Sequence, residues 1–155
     1  MGLPRRRALS LSQSGFVSTR FAGYLRQAEL SESARKKIDA LLAKDKAPAK
    51  ARSFLDTTPQ LSVSGYLKAL DVFLSETRAR GELVCFSLLP ELYDTKELMR
   101  VQRHLENIDP EDKRRLLVFV ESDAGLYGRL RDAGISAFFR ADSLEALDVL
   151  LHSDE

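Results

Sequence analysis

Residues 116–151 constrain the fold more than any other stretch, because two apolar runs lie there with one short helix between them. Residues 116–120 (LLVFV) are an unbroken run of strand formers, typical of a strand buried on both faces. Residues 135–139 form the second run. Between the runs, apolar residues recur at helical spacing: Leu126, Leu130 and Ala133. Two strands joined by one helix form a βαβ unit, so the sheet is predicted to be parallel.

Strand and helix patterns alternate along the rest of the chain. Strands are predicted at 8–12, 83–88, 116–120 and 135–139, with a weakly signalled strand at Leu61 and Val63. Helices are predicted at 16–28, from Ser31, at 65–79, from Thr95 to Asn107, at 126–133 and from Ser143. In the helix from Thr95, Met99 is predicted to face inward, and residues 111–115 (EDKRR) to be a charged surface segment. Repeated units of this kind predict a parallel sheet covered by helices on both faces.

Composition bounds the class of protein. The 155 residues, 44% hydrophobic and 30% charged, are ordinary for one soluble domain, which we place at 8–155 after a basic tail at 1–7. No apolar run approaches the ~20 residues that cross a bilayer, and no signal peptide is recognised, so we expect a cytoplasmic protein without membrane contact. A single cysteine, Cys85 in an apolar strand, argues against a disulfide framework or a zinc cluster.

Charge is distributed unevenly although the net charge is +1. Residues 1–80 hold 15 lysines and arginines against 7 acidic residues, and residues 81–155 hold 9 against 16. Attraction between the two halves within one domain is the favoured interpretation, and a basic face for a polyanion is the alternative. Residues 30–53 are predicted to be an added helix and linker. Two interpretations of this segment are equally favoured: a docking element and a tolerated surface insertion.

Residues 65–151 resemble the receiver domains of bacterial response regulators. GYLKALDVFLSETRARGELVCFS is similar to that family's second helix and third strand, and SLLPEL to the following loop, with Pro90 at the family's proline position. DAG at 132–134 and ISAFFRADSLEALDVLL resemble the end of the fourth helix, the fifth strand and the last helix. The resemblance implies a flavodoxin-like three-layer α/β sandwich: a five-stranded parallel sheet with helices on both faces, here with an extra helix inserted near residues 30–53.

The residues that serve phosphoryl transfer in that family are replaced in this chain. Gln13 and Ser14 stand where the family has an acidic pair. Ser87, or Phe86 if the gap falls differently, stands where the family has the phosphoacceptor aspartate, and Arg140 or Ala141 stands where it has a lysine. Ser122 fits the family's hydroxyl position. A divalent cation binds through several carboxylate oxygens, which these side chains do not supply. We therefore expect a degenerate pseudo-receiver with no catalytic residue, metal or cofactor, and not an enzyme.

The resemblance also implies where a partner binds, since the family's usual contact face joins the fourth helix, fifth strand and last helix. The corresponding residues are Tyr127, Arg131, Phe139, Arg140, Leu144 and Asp148. Aromatic residues and arginine are favoured at interface centres. We expect a signalling or scaffold module, related to two-component signalling, whose partner is another signalling protein or a second copy of itself in a homodimer.

Two other functions remain as alternatives. The first is binding of nucleic acid or another polyanion through Arg5–Arg7 and the basic residues of 35–52, which is less favoured because 31–52 lacks aromatic residues for base stacking. The second is a small-ligand sensor in the crevice at the strand ends, near Ser87, Ser122 and Arg140. No glycine-rich phosphate loop follows any predicted strand, which argues against a nucleotide.

Overall fold

The computed structural model describes residues 6–13, 25–120, 125–135 and 138–140. The strands are β1 (Arg7–Ser12), β2 (Arg26–Gln27), β3 (Phe54–Asp56), β4 (Leu83–Leu88), β5 (Leu116–Val120) and β6 (Phe138–Arg140). The helices are α1 (Glu32–Lys44), α2 (Val63–Arg78), α3 (Thr95–Glu106), α4 (Pro110–Lys113) and α5 (Leu126–Asp132), and a 3₁₀ turn lies at Pro90–Leu92. The predicted helix from Ser143 and the first part of the one at 16–28 lie outside the described residues.

All described strand pairs are parallel, in the spatial order β2–β1–β4–β5–β6, with β3 also paired to β1. Strand β4 pairs with one edge of β1. Strands β2 and β3 therefore share the other edge of β1. The sheet thus has five strand positions and the 2-1-3-4-5 order of a flavodoxin-like α/β fold, as the sequence predicted.

The edge position beside β1 is built from two separate pieces of chain. Ala28 N donates to Ala8 O at 2.8 Å, and Ser10 N donates to Ser53 O at 2.8 Å, so the chain leaves the edge after Ala28 and returns at Ser53. The Ser53 hydroxyl closes the gap by donating to Ala28 O at 2.6 Å. The predicted insertion therefore leaves the sheet and returns to it within a single strand position.

Helix α1, the main element of that excursion, lies antiparallel to α2 and is fixed at both ends. At its N-terminus, Ser31 N and Ser31 Oγ donate to the two carboxylate oxygens of Glu76 at 2.8 and 3.1 Å. At its C-terminal end, Asp45 Oδ2 accepts from Ser62 N at 2.9 Å. Its buried stripe, Ala34, Ile38 and Leu42, belongs to the main core. The helix start at Ser31 is as predicted, because the Ser31 hydroxyl caps Ala34 N at 3.1 Å.

One hydrophobic core joins a face of the sheet to α1, α2, α3 and α5. The sheet contributes alternate residues, among them Leu9, Leu11, Val84, Phe86, Val118 and Val120. The helices contribute Ile38, Tyr66, Leu70, Leu105, Leu126 and Leu130. The alternation follows from the two-residue period of a strand, which turns Ser10, Cys85 and Ser87 to the other face. Burial raises the pKa of the Cys85 thiol, as expected for an inert core cysteine.

Four local predictions were wrong. Arg26 and Gln27 pair with β1 as a strand, so no helix continues to Ala28. The strand before α2 is Phe54–Asp56, whereas Val63 opens α2 behind the N-cap Ser62. Met99 is 40% exposed, and Val101 takes the inward position on α3. Residues 111–115 are not simply a surface segment, because Asp112 is buried. In each case the apolar or charged pattern was too short to fix orientation, and contacts between elements decided it.

Within the described part of the chain, no helix is both long enough and apolar enough to cross a membrane.

Candidate functional site

The carboxyl edge of the sheet is where ligands bind in open parallel sheets. Ser87 is the penultimate residue of β4. Gln13 directly follows β1, which pairs with β4 through Leu11 and Phe86. Arg140 ends β6 and pairs with Val120 of β5. The structure therefore places Gln13, Ser87 and Arg140 along one edge, while Ser14 and Ser122 lie outside the described residues.

Ser87 is held by its backbone rather than by its side chain. Tyr66, fully buried on α2, donates from its hydroxyl to Ser87 O at 2.5 Å. The Tyr66 ring stacks on Phe86 with ring centroids 4.8 Å apart. The Ser87 hydroxyl is buried and has no hydrogen-bond partner among the described residues, a property it shares with Ser10 Oγ on β1. The end of β4 is thus packed by an aromatic pair on one face and carries a neutral hydroxyl on the other.

Gln13 is engaged by a residue 80 positions away. Tyr93, just after the 3₁₀ turn that follows β4, donates from its hydroxyl to Gln13 Oε1 at 2.7 Å, and both residues are buried. Burial raises the pKa of the Tyr93 phenol, so the group is neutral at physiological pH. This hydrogen bond joins the ends of β1 and β4 through two uncharged groups. It uses one of the two lone pairs of the Gln13 amide oxygen.

Asp56, at the end of β3, is a carboxylate at this edge that the sequence reading missed. It pairs with Ser12 in the sheet, and its Oδ1 accepts from Thr58 N at 3.0 Å. Thr58 has φ of 62°, an unusual conformation for a β-branched residue. The signal for Asp56 was present as Phe54-Leu55-Asp56, an apolar pair followed by a turn, but the strand was assigned to Leu61 and Val63. No group of three or more histidine, cysteine or acidic residues suited to a metal occurs in the described ranges.

The predicted protein-binding residues are divided between described and undescribed parts of the chain. Arg131 is exposed on α5, and Tyr127 is half-buried against the core. Phe139 and Arg140 lie in β6, the strand that α5 leads into. Leu144 and Asp148 lie outside the described residues.

A second polar cluster lies at the opposite end of the sheet, where β4 and β5 begin. Asp112 accepts from Arg78 Nη2 and from Arg115 Nη2, both at 2.6 Å. Arg115 Nη1 also donates to Thr77 Oγ1 at 2.6 Å and to Glu82 O at 2.8 Å. The hydrogen bond from Arg78, reinforced by Arg115, holds the pKa of the Asp112 carboxyl below its usual value against the effect of burial. Every charge in this cluster is satisfied internally, which indicates a structural role.

Comparison of the chain with protein-family models, with curated proteins and with solved structures gives no match.

Replacement of Tyr93 with phenylalanine is expected to lower the free energy of unfolding by about 1–2 kcal/mol. The change leaves Gln13 Oε1 buried without its donor, and an unsatisfied buried acceptor costs about that much. Urea denaturation of Tyr93→Phe, Gln13→Ala and the double variant checks the assignment. In the Gln13→Ala background the effect of Tyr93→Phe should largely disappear. An equal loss in both backgrounds would show that the hydroxyl acts through some other contact.

Proposed function

We propose that the chain is a receiver-like module that works by binding another protein, without control by phosphorylation. The observation that carries the proposal is the Tyr93–Gln13 hydrogen bond, which joins the ends of β1 and β4 through neutral groups. A phosphoryl group transferred to this edge needs positive charge to offset its own, usually a cation held by carboxylates. Gln13 and Ser87 provide neither a positive charge nor a carboxylate, and the carboxylate of Asp56, which the described residues place at this edge, is engaged by its own turn.

The predicted contact face on α5 and β6 is the surface we assign to the partner. Arg131 is exposed there, and Tyr127 presents part of an aromatic ring beside it on the same helix. Arginine and tyrosine are enriched at the centres of protein interfaces because each combines a large contact area with directional hydrogen bonding. A second copy of the chain is the simplest partner for such a face.

Treatment with acetyl phosphate and Mg²⁺, followed by intact-mass measurement, tests the first half of the proposal. The expected result is an unchanged mass, with a phosphorylatable receiver domain treated in parallel as the positive control. Addition of one phosphoryl group would overturn it.

Sedimentation across a concentration series tests the contact face on α5 and β6. Arg131→Ala and Phe139→Ala should weaken self-association. Arg114 is exposed at the opposite end of the sheet, so Arg114→Ala should not weaken it. An oligomer distribution insensitive to both variants counts against that face.

Polyanion binding is the second candidate, and the surface of α1 favours it. Lys36, Lys37 and Lys44 are exposed there, and two of the acidic residues nearby accept hydrogen bonds from the protein backbone. Asp39 Oδ1 accepts from Ala51 N at 2.7 Å, and the hydrogen bond from Ser62 N lowers the pKa of Asp45. Fluorescence anisotropy with labelled duplex DNA or RNA distinguishes this candidate, since binding through phosphates weakens steeply with added salt.

A further inference from the structure

The outer face of α3 carries four exposed side chains in one row, which we name the α3 stripe: Lys96, Met99, Arg100 and Arg103. Their spacing of i, i+3, i+4 and i+7 places them on one side of the helix, opposite the buried Val101 and Leu105. The four line an open cavity of about 360 Å³. The stripe therefore combines three positive charges with a central apolar side chain in a shallow groove.

The positive charges of the α3 stripe are not compensated within the described structure. Neither Lys96, Arg100 nor Arg103 forms a side-chain ion pair or hydrogen bond with another described residue. The acidic residues of the same helix are engaged elsewhere: Glu97 forms the capping box with Asp94, and Glu106 accepts from Gln102 at 3.3 Å. A row of cations that forms no ion pair with a described residue attracts an acidic surface.

Met99 gives the stripe an apolar centre. It is one of two large hydrophobic residues that are exposed in the described part of the chain; the other, Leu92, lies in the turn just before α3. A lone exposed apolar residue needs no explanation, but methionine surrounded by cations is suited to an apolar side chain flanked by carboxylates. A phosphate backbone has no group that gains from covering the methionine, so the composition favours protein over nucleic acid.

Helix α3 is held rigidly on its other sides, which pre-organises the stripe. The capping box fixes its first turn, with Glu97 N donating to Asp94 Oδ1 at 2.8 Å. His104 Nε2 lies 2.8 Å from Asp71 Oδ1 on α2, and Arg129 of α5 donates to Gln102 Oε1 at 3.2 Å. The contact with α5 also makes the stripe a neighbour of the face assigned to the partner. Pre-organisation lowers the entropy that binding must overcome.

We propose that the α3 stripe docks an acidic amphipathic helix of a partner protein, with an aliphatic side chain over Met99 and carboxylates on Lys96, Arg100 and Arg103. The inference rests on the proposed function, since it names the chemistry of the protein bound. The stripe is about 10 Å long at 1.5 Å per residue, which matches two turns of a partner helix bearing acidic residues at i, i+4 and i+7. The two arginines can bind carboxylates bidentately.

The test uses the full chain and a labelled synthetic helix of about 18 residues, long enough to be helical in isolation, with glutamates in a row beside leucines. Fluorescence anisotropy at about 0.15 M ionic strength should detect binding that falls at least about tenfold in Arg100→Glu/Arg103→Glu. Met99→Ala should weaken binding about fivefold, which corresponds to about 1 kcal/mol. Lys68→Glu/Arg114→Glu makes the same charge change at two exposed positions outside both the α3 stripe and α1, and should leave binding within about twofold of the parent.

Several outcomes would overturn the inference. One is absence of binding, and another is equal binding of a peptide in which serine replaces every leucine, since the methionine would then contribute nothing. A third is that a nucleic-acid duplex of equal charge binds more tightly than the peptide and that the α3 variants abolish this binding. That result would assign the stripe to nucleic acid. None of these results bears on labelling by acetyl phosphate or on self-association through α5 and β6, so the docking inference and the proposed function fail separately.

Discussion

Replacement of Asp112 with alanine is expected to lower the free energy of unfolding by about 3–5 kcal/mol, the largest effect of any charged residue in the described structure. Its carboxylate binds Arg78 and Arg115 at 2.6 Å, and its side chain is only 5% exposed. Without it, the Arg115 side chain, 12% exposed, keeps its hydrogen bonds to Thr77 and Glu82 but loses its counter-charge. Removing one partner of a buried ion pair is costly because the other charge stays desolvated.

The matched control is Glu111→Ala in the same short helix. Glu111 pairs with Arg114 at 3.3 Å, with both side chains about three-quarters exposed, so its loss should cost less than about 0.5 kcal/mol. Urea denaturation of the three proteins at neutral pH measures both values. If Asp112→Ala and Glu111→Ala differ by less than about 1 kcal/mol, the buried cluster has no special role in stability.

The same cluster makes the free energy of unfolding depend on pH in the acid range. In the folded protein the pKa of Asp112 lies below the value of about 3.9 that it has in the unfolded chain. The stabilisation from the Asp112 carboxylate is therefore complete above about pH 3.9, and it is lost as the pH falls through the lower pKa of the folded protein. Asp112→Asn should therefore be less stable than the parent at neutral pH, and the difference should shrink in acid. A constant difference from pH 7 down to pH ~2 would contradict a lowered pKa in the folded state.

Replacement of Tyr66 with alanine is expected to cost about 3–5 kcal/mol, because a fully buried ring is removed beneath the end of β4. Tyr66→Phe keeps the stacking on Phe86 and removes the hydrogen bond to Ser87 O, for an expected loss of about 1–2 kcal/mol. The difference between the two variants measures the ring alone. Thermal and urea unfolding supply both numbers.

Val72→Ala, at a half-buried position of the same helix, serves as the control for Tyr66 and should cost less than about 1.5 kcal/mol. A Tyr66→Phe variant as unstable as Tyr66→Ala would show that the hydroxyl, not the ring, supports β4. A Tyr66→Ala variant no less stable than Val72→Ala would mean that this part of the core can collapse around the cavity.

The candidate site was predictable residue by residue but not as an arrangement. Gln13 and Ser87 were recognised because each follows or ends a strand with a clear pattern. Tyr93 was not recognised, since nothing local to 89–94 says that its hydroxyl reaches Gln13 across 80 residues. Asp56 was missed because its strand is only three residues long and a turn signal follows it at once. The α3 stripe was missed for a related reason. A methionine between charged residues does not indicate from sequence alone which side of the helix it faces.

The sequence by itself determined the local elements: the apolar strands β4 and β5, the helix start at Ser31 and the parallel class of the sheet. These follow from hydrophobic period and from side chains that satisfy their own backbone, both of which act within a few residues. Only the tertiary structure decided that β2 and β3 share one edge of β1, that Asp112 is buried and that Tyr93 meets Gln13. Those outcomes depend on which distant surfaces pack together, and a strand edge or a charged turn is compatible with several partners until the core selects one.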